Sequence, residues 1–236
     1  MRRKGWNALG MILLLVLCSC AVPEKPAVRR TVPDGDRIPR TLAILHFENN
    51  SITEPEKYHP LSKGLAAMLI TDLIQNQNVL KIIERNKIEE ILKEIALSQT
   101  GSVDNATALR AGRILGAQSI AFGSFVVLGK NVRIDTRIIN VETSEMIMAE
   151  NIIGLSDSFM QLEQELAKKI ARALNATFRP AGKAPKGDIE AALYFSQGVE
   201  ALDRGDTVTA DKYFKKAIDR DPSYRDHINA IRKSKQ

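Results

Sequence analysis

Between Ser119 and Gly154 the chain changes its hydrophobic period, and that change restricts the fold more than any other feature. The segment "NVRIDTRIINV" (residues 131–141) alternates strictly. Val132, Ile134, Thr136 and Ile138 face one way, and Arg133, Asp135 and Arg137 face the other. The flanking runs "SIAFGSFVV" and "MIMAENIIG" also read as strands, joined to it near Gly129-Lys130 and through the turn "ETSE". Three consecutive strands with turns this short form an antiparallel meander.

The residues before the meander follow a different rhythm. "TLAILHF" (residues 41–47) is almost wholly apolar, as expected of a strand covered on both faces. "HPLSKGLAAMLITDLIQ" then places Leu61, Leu65, Met68, Leu69 and Leu73 on one helical stripe. "VLKIIER" (residues 79–85) reads as a second strand. Asn86 follows as an N-cap, with Glu89 three residues on as its capping-box partner. That helix, "KIEEILKEIAL", turns Ile88, Ile91, Leu92 and Ile95 inward, and Glu89, Glu90, Lys93 and Glu94 form a solvated charged face. After a loop containing Gly and Ser, "NATALRAGRILGAQ" is another helix, with Gly116 suited to a left-handed C-terminal position. A last long helix follows the meander, carrying Phe159, Leu162, Leu166, Ile170 and Ala173 on one face. The predicted order is β-α-β-α-α-β-β-β-α. This is an α/β fold, a layered domain of helices on a mixed sheet, and about 140 residues suffice for one core.

The first forty residues concern location. Arg2, Arg3 and Lys4 precede a ten-residue apolar run at positions 8–17, the layout of an export signal. That run is half the roughly 20 residues a membrane-spanning helix requires. Leu17-Cys18-Ser19-Cys20 resembles the lipobox of bacterial lipoproteins. The resemblance implies a thioether-linked diacylglyceryl group on Cys20, cleavage before it and acylation of the new amino group. Cys18 would put bulky Leu17 at the position before cleavage, so it leaves with the signal peptide (residues 1–19). Several acyl chains hold stably where one holds marginally. Ala21, where Asp is absent, resembles an outer-membrane sorting address. Residues 20–40 hold Pro23, Pro26, Pro33 and Pro39 and form a tether with a reach of at most about 60–70 Å. Processing leaves 31 basic against 28 acidic residues, a net charge of +3. That balance gives no nucleic-acid signal.

The α/β domain is assigned to residues 41–178. Beyond it "RPAGKAPKGD" marks a linker at 179–188. Residues 189–236 resemble one tetratricopeptide repeat, a helical hairpin. Tyr194, Gly198, Ala210, Phe214, Ala217 and Pro222 fall at the aromatic, small, small, aromatic, small and proline positions of the 34-residue pattern. Gly198 and Ala210 allow close helix approach, Phe214 fills the space between, and Pro222 ends the second helix. Gln197 and Ala201 replace the usual Leu and Tyr. A single repeat cannot bury its own apolar face. The face therefore needs the α/β domain, a second copy or a client protein.

Four words of the α/β domain, "TLAILHFENNS", "LSKGLAAMLITDLIQNQNVLKIIERNKIEEILKE", "AGRILGAQSIAFGS" and "VRIDTRIINVETSEMI", resemble the CsgG family of outer-membrane lipoproteins in sequence and order. Activators of penicillin-binding proteins of the LpoB type are relatives, and TolB-like amino-terminal domains share a similar strand-helix grammar. The CsgG resemblance implies envelope proteins as partners, a homo-oligomer as a possible assembly, and curli-type export as the context. CsgG itself forms a pore from hairpins inserted in the meander. A transmembrane barrel strand takes about 9–11 residues, and the turns here leave no room for such insertions. The alternation in residues 132–141 also fits a barrel strand, so a pore subunit remains a second reading beside an adaptor, and an LpoB-like activator a third.

No enzyme chemistry is expected. His46, His59 and His227 are far apart, and no Cys or His spacing of a metal site occurs. Phosphate-loop and nucleophile-elbow patterns are absent. The sequence thus points to a non-catalytic lipoprotein without cofactor, facing the periplasm and acting by contact. Cys20→Ser is expected to abolish lipid labelling and to leave the precursor unprocessed, whereas Cys18→Ser is tolerated. Metabolic labelling with a fatty-acid analogue checks this, and equal labelling of the two variants contradicts the assignment.

Overall fold

A computed structural model describes residues 39–74, 80–94, 104–178 and 187–234. Cys18, Cys20, the tether up to residue 38 and linker residues 179–186 lie outside the described residues. The α/β part runs β1 (Thr41–Asn49), α1 (Pro55–Tyr58), α2 (Leu61–Ile74), β2 (Lys81–Ile82), α3 (Arg85–Glu94), α4 (Asn105–Leu115), β3 (Ser119–Leu128), β4 (Asn131–Asn140), β5 (Met146–Leu155) and α5 (Phe159–Ala173). This is the expected order with one short helix, α1, added.

The five strands form one mixed sheet in the order β2-β1-β3-β4-β5. β1 is parallel to both neighbours, and β3, β4 and β5 make the antiparallel meander. Leu42, Ala43, Ile44 and Leu45 are all buried, as an apolar central strand requires. α2 and α5 cover one face of the sheet; Leu162 of α5 lies against Gly154. α4 reaches the opposite face only at the start of β3, against Ile120 and Val141. Asp104 caps α4, its side chain accepting from the Thr107 amide, and Gly116 closes that helix at φ 64°.

Two local expectations fail. The second strand spans two described residues instead of seven, because Arg85 already begins α3. Asn86 is therefore inside the helix and not its cap. Its side-chain amide donates to the carbonyl of Ser234, at the far end of the chain. Glu89 likewise caps nothing and is not solvated; it is buried.

The C-terminal part consists of α6 (Ile189–Asp203), α7 (Thr207–Arg220) and α8 (Tyr224–Lys233). Asp188 and Asp206 cap α6 and α7, each accepting an amide hydrogen bond at 3.0 Å. Where the sequence left three possible covers for this apolar face, the structure places it on the α/β domain. α6 lies along α2, and α8 folds back onto both. A single hydrophobic cluster runs from Leu42 to Ile231.

The contact explains a feature of α2 that a single stripe does not. Besides Leu61, Leu65, Met68, Leu69 and Leu73, residues Ala66, Ala67 and Ile70 are also buried. A helix apolar on all sides is a buried helix. α2 packs on the sheet with one side and on the tail with the other. Gly64 makes this possible: a Cβ there would lie 1.7 Å from Ser196 Oγ and 3.0 Å from the Ser196 Cα. Because backbone stands in the way, Gly64→Ala is expected to cost about 3 kcal/mol, the upper range for overpacking. Chemical denaturation of the full chain checks that value. Truncation after Lys186, which a detachable tail would tolerate, is expected instead to expose α2 and abolish cooperative unfolding, as followed by circular dichroism.

Candidate functional site

Three features of the folded chain carry chemistry or invite contact. The first is a seam of charges where β1, α2, α3 and α6 meet. Lys63 Nζ on α2 lies 3.2 Å from Glu89 Oε2 and 3.8 Å from Asp203 Oδ2. Arg85 Nη1 donates to Asp203 Oδ1 at 2.6 Å, and His46 Nε2 contacts Glu89 Oε1. Arg85 and Glu89 are buried. Burial alone would raise the Glu89 carboxyl, but the His46 hydrogen bond, the His46 charge and Lys63 together outweigh it and hold its pKa at about 2. The two pairs to Asp203 bind the tail to the domain in a fixed register, because buried Arg85 would lose its counter-charge if α6 shifted along α2.

The second feature is a buried polar node. Asp72 on α2, Glu163 on α5 and His227 on α8 are 0%, 0% and 3% exposed. One ligand-type atom from each lies within 4.8 Å of the others. His227 Nε2 is 3.0 Å from Asp72 Oδ1. Burial, then the charge and hydrogen bond of Asp72, push the Glu163 carboxyl well above its ordinary range. Tyr224, one turn before His227, is fully buried, and its hydroxyl has no hydrogen-bond partner among the described residues. Burial and then Glu163 raise that phenol as well. Phe195 packs against Tyr224 and His227, with ring centroids 5.4 and 6.1 Å away. Two carboxyls and an imidazole in this setting either share protons or hold a cation.

The third is the outer face of the meander, which no described helix covers beyond the start of β3. In register across it stand Leu128, Asn131 and Leu155, and next to them Val126, Arg133 and Ile153. Leu128, Ile153 and Leu155 are 61%, 63% and 53% exposed. Arg133 pairs with Asp135 on the same face at 2.6 Å. β5 is also an edge of the sheet, so its outward backbone groups lack a strand partner among the described residues. Apolar side chains grouped around an arginine, beside an open strand edge, have the composition of a protein-docking surface.

Of the residues singled out in the sequence, Gly198, Ala210, Phe214 and Ala217 meet between α6 and α7. A Cβ on Gly198 would lie 2.5 Å from the Phe214 ring, and the other three are buried. Tyr194 is half-buried under Lys216, whose Nζ is 5.2 Å from the ring centroid. Pro222 follows the end of α7 and is exposed. The node residues Asp72, Glu163, Tyr224 and His227 were not anticipated. Their only trace in the sequence is a polar side chain at an apolar helical position, such as Glu163 within the stripe of Phe159, Leu162, Leu166 and Ile170.

Residues 38–135 match the family model described as curli production assembly/transport component CsgG. Over this segment the chain is similar to the CsgG family. The segment comprises 98 of 236 residues, from just before β1 to the middle of β4. The node draws Asp72 from the CsgG segment, and Glu163 and His227 from beyond it. Three solved structures illustrate the wider likeness. The C-terminal domain of LpoB from Salmonella enterica is 15% identical with a TM-score of 0.36, over 49% of this chain and 82% of that one. Lipoprotein GNA1162 from Neisseria meningitidis is 13% identical with a TM-score of 0.41, over 58% and 95%. A PelC dodecamer from Paraburkholderia phytofirmans is 14% identical with a TM-score of 0.36, over 58% and 88%. No curated protein matches the chain. No helix among the described residues is long and apolar enough to cross a membrane.

The Glu89 carboxyl sets a pH dependence. Its folded pKa lies below the unfolded value near 4.3, so its contribution is present above that value and lost as pH falls toward about 2. The shift corresponds to about 3 kcal/mol. Glu89→Gln is expected to be less stable than the parent at neutral pH and to converge with it only near pH 2, as checked by urea denaturation down to that pH.

Proposed function

We propose that the protein is a non-catalytic lipoprotein, anchored through Cys20 in the periplasmic leaflet of the outer membrane. It acts as an adaptor or assembly factor in curli-type export or envelope assembly, through protein–protein contacts. The observation that carries this reading is the likeness to the CsgG family at residues 38–135, with a meander whose strands are joined by short turns only. The family description concerns assembly and transport. The turns at residues 129–130 and 141–145 contain no hairpin from which a barrel could be built. The uncovered outer face with Leu128, Arg133, Ile153 and Leu155 supplies the contact surface, and the tether lets the body reach partners away from the bilayer.

The word transport in the family description also favours a second reading, a subunit of a secretion pore. Against it, one side of β4 is wholly occupied by the core: Val132, Ile134, Thr136 and Ile138 are all buried. Its alternation is already used by a half-covered sheet.

Photocrosslinking residues placed at Ile153 and Leu155 in cells are expected to capture envelope proteins, identified by mass spectrometry. The same probe at exposed Asp211 on α7 is expected to capture few. Equal capture at all three positions would refute the docking face. Steady conductance of the purified protein in planar bilayers would establish the pore reading instead.

A further inference from the structure

We propose that Asp72, Glu163 and His227 bind one divalent first-row transition-metal ion, which fixes α8 to the α/β domain. The geometry suits an ion. Zinc holds nitrogen and oxygen ligands at about 2.0–2.2 Å, so two ligands of one tetrahedral ion stand about 3.3 Å apart. His227 Nε2 and Asp72 Oδ1 are already at 3.0 Å, and all three ligand atoms fall within 4.8 Å. Side-chain adjustments of about 1 Å would close the remainder.

Two further observations point to a ligand beyond the three side chains. Among the described residues neither ring nitrogen of His227 makes a hydrogen bond, although the ring is 3% exposed and one nitrogen sits 3.0 Å from a carboxylate oxygen. The contact is close but not directed as an N–H donor requires, which suits two donors converging on a third atom. Beside it, the fully buried Tyr224 hydroxyl has no partner among the described residues. Buried polar groups are nearly always hydrogen-bonded, and here two neighbours on one helix are not.

The charges balance. A divalent cation with two carboxylates and a neutral imidazole has no net charge, so it can occupy an interior where a lone ion could not. A bound ion takes the carboxylate form of both acids and an unprotonated nitrogen of His227, so any proton these groups carry passes to solvent as the ion gives up water ligands. Two carboxylates with one imidazole suit zinc, iron(II) or manganese(II). The three ligands come from α2, α5 and α8, so the ion would connect the α/β domain to the last helix of the chain. The site is buried and so closed to substrates, which gives the ion a structural role, and a water or a second carboxylate oxygen would complete four-coordination. It does not depend on the proposed adaptor function.

The full chain, purified without an affinity tag or chelator, is expected to contain about one metal ion per molecule by elemental mass spectrometry. Removal with dipicolinate is expected to lower the melting temperature by roughly 5 °C or more, and added zinc chloride to restore it. Glu163→Gln and His227→Gln are expected to lose both the stoichiometric metal and the response to zinc. If either variant fails to fold, the titration of metal-free parent protein decides. A parent that takes up no Zn2+, Mn2+ or Fe2+ and melts at the same temperature with and without them overturns the proposal. So does metal uptake that persists in folded Glu163→Gln. Either result would leave the node a proton-sharing cluster.

Discussion

The structure depends on α2 being buried from two sides. Its sheet-facing side contributes to the core of the α/β domain, and its other side is closed by α6 and α8. The approach is close because Gly64 presents no side chain to Ser196. Dispersion and hydrophobic burial both favour such contact. Without the tail, Ala67 and Ile70, which lie beside Ala230 and Ile231 of α8, would face water. The C-terminal helices are therefore part of the same core, joined to the domain through the one element that belongs to both.

Two groups of polar residues fix the register of this contact. The charged seam of Lys63, Arg85, Glu89 and Asp203 lies near one part of α2, and the node of Asp72, Glu163 and His227 lies near its C-terminal end. Apolar packing alone tolerates sliding, because its energy follows buried area and not direction. Buried charges do not tolerate it, since a displaced partner leaves an uncompensated ion in a medium of low polarity. The helix ends are set in the same way, with Asp104, Asp188 and Asp206 each accepting an amide hydrogen bond.

Folding the tail onto α2 leaves the outer meander face as the exposed surface of mixed apolar and charged character. On the proposed reading, the partner surface lies on the sheet and not on the helical hairpin. The hairpin's apolar face is occupied within the chain, whereas Leu128, Ile153 and Leu155 remain open beside a free strand edge. An anchored protein acting by contact would present this face to its partners.

The sequence by itself determined the order of the main elements, though not α1 or α8, together with the meander and the inward residues of α5 and α7. These depend on local period and on turn residues, and both can be read within a window of a dozen residues. It also identified Gly116 as a helix end and Gly198 as a point of close approach, since neighbouring residues set both roles. It misread Asn86 and Glu89, whose spacing imitates a capping box. The competing partners, Ser234 for one and His46 with Lys63 for the other, lie at least 26 positions away in the chain. Only the tertiary structure decided that α2 has two buried sides, that the tail belongs to the core, and that Asp72, Glu163 and His227 converge. Those facts arise from contacts between residues as many as 155 positions apart, and no local pattern encodes which distant helix will complete a buried face.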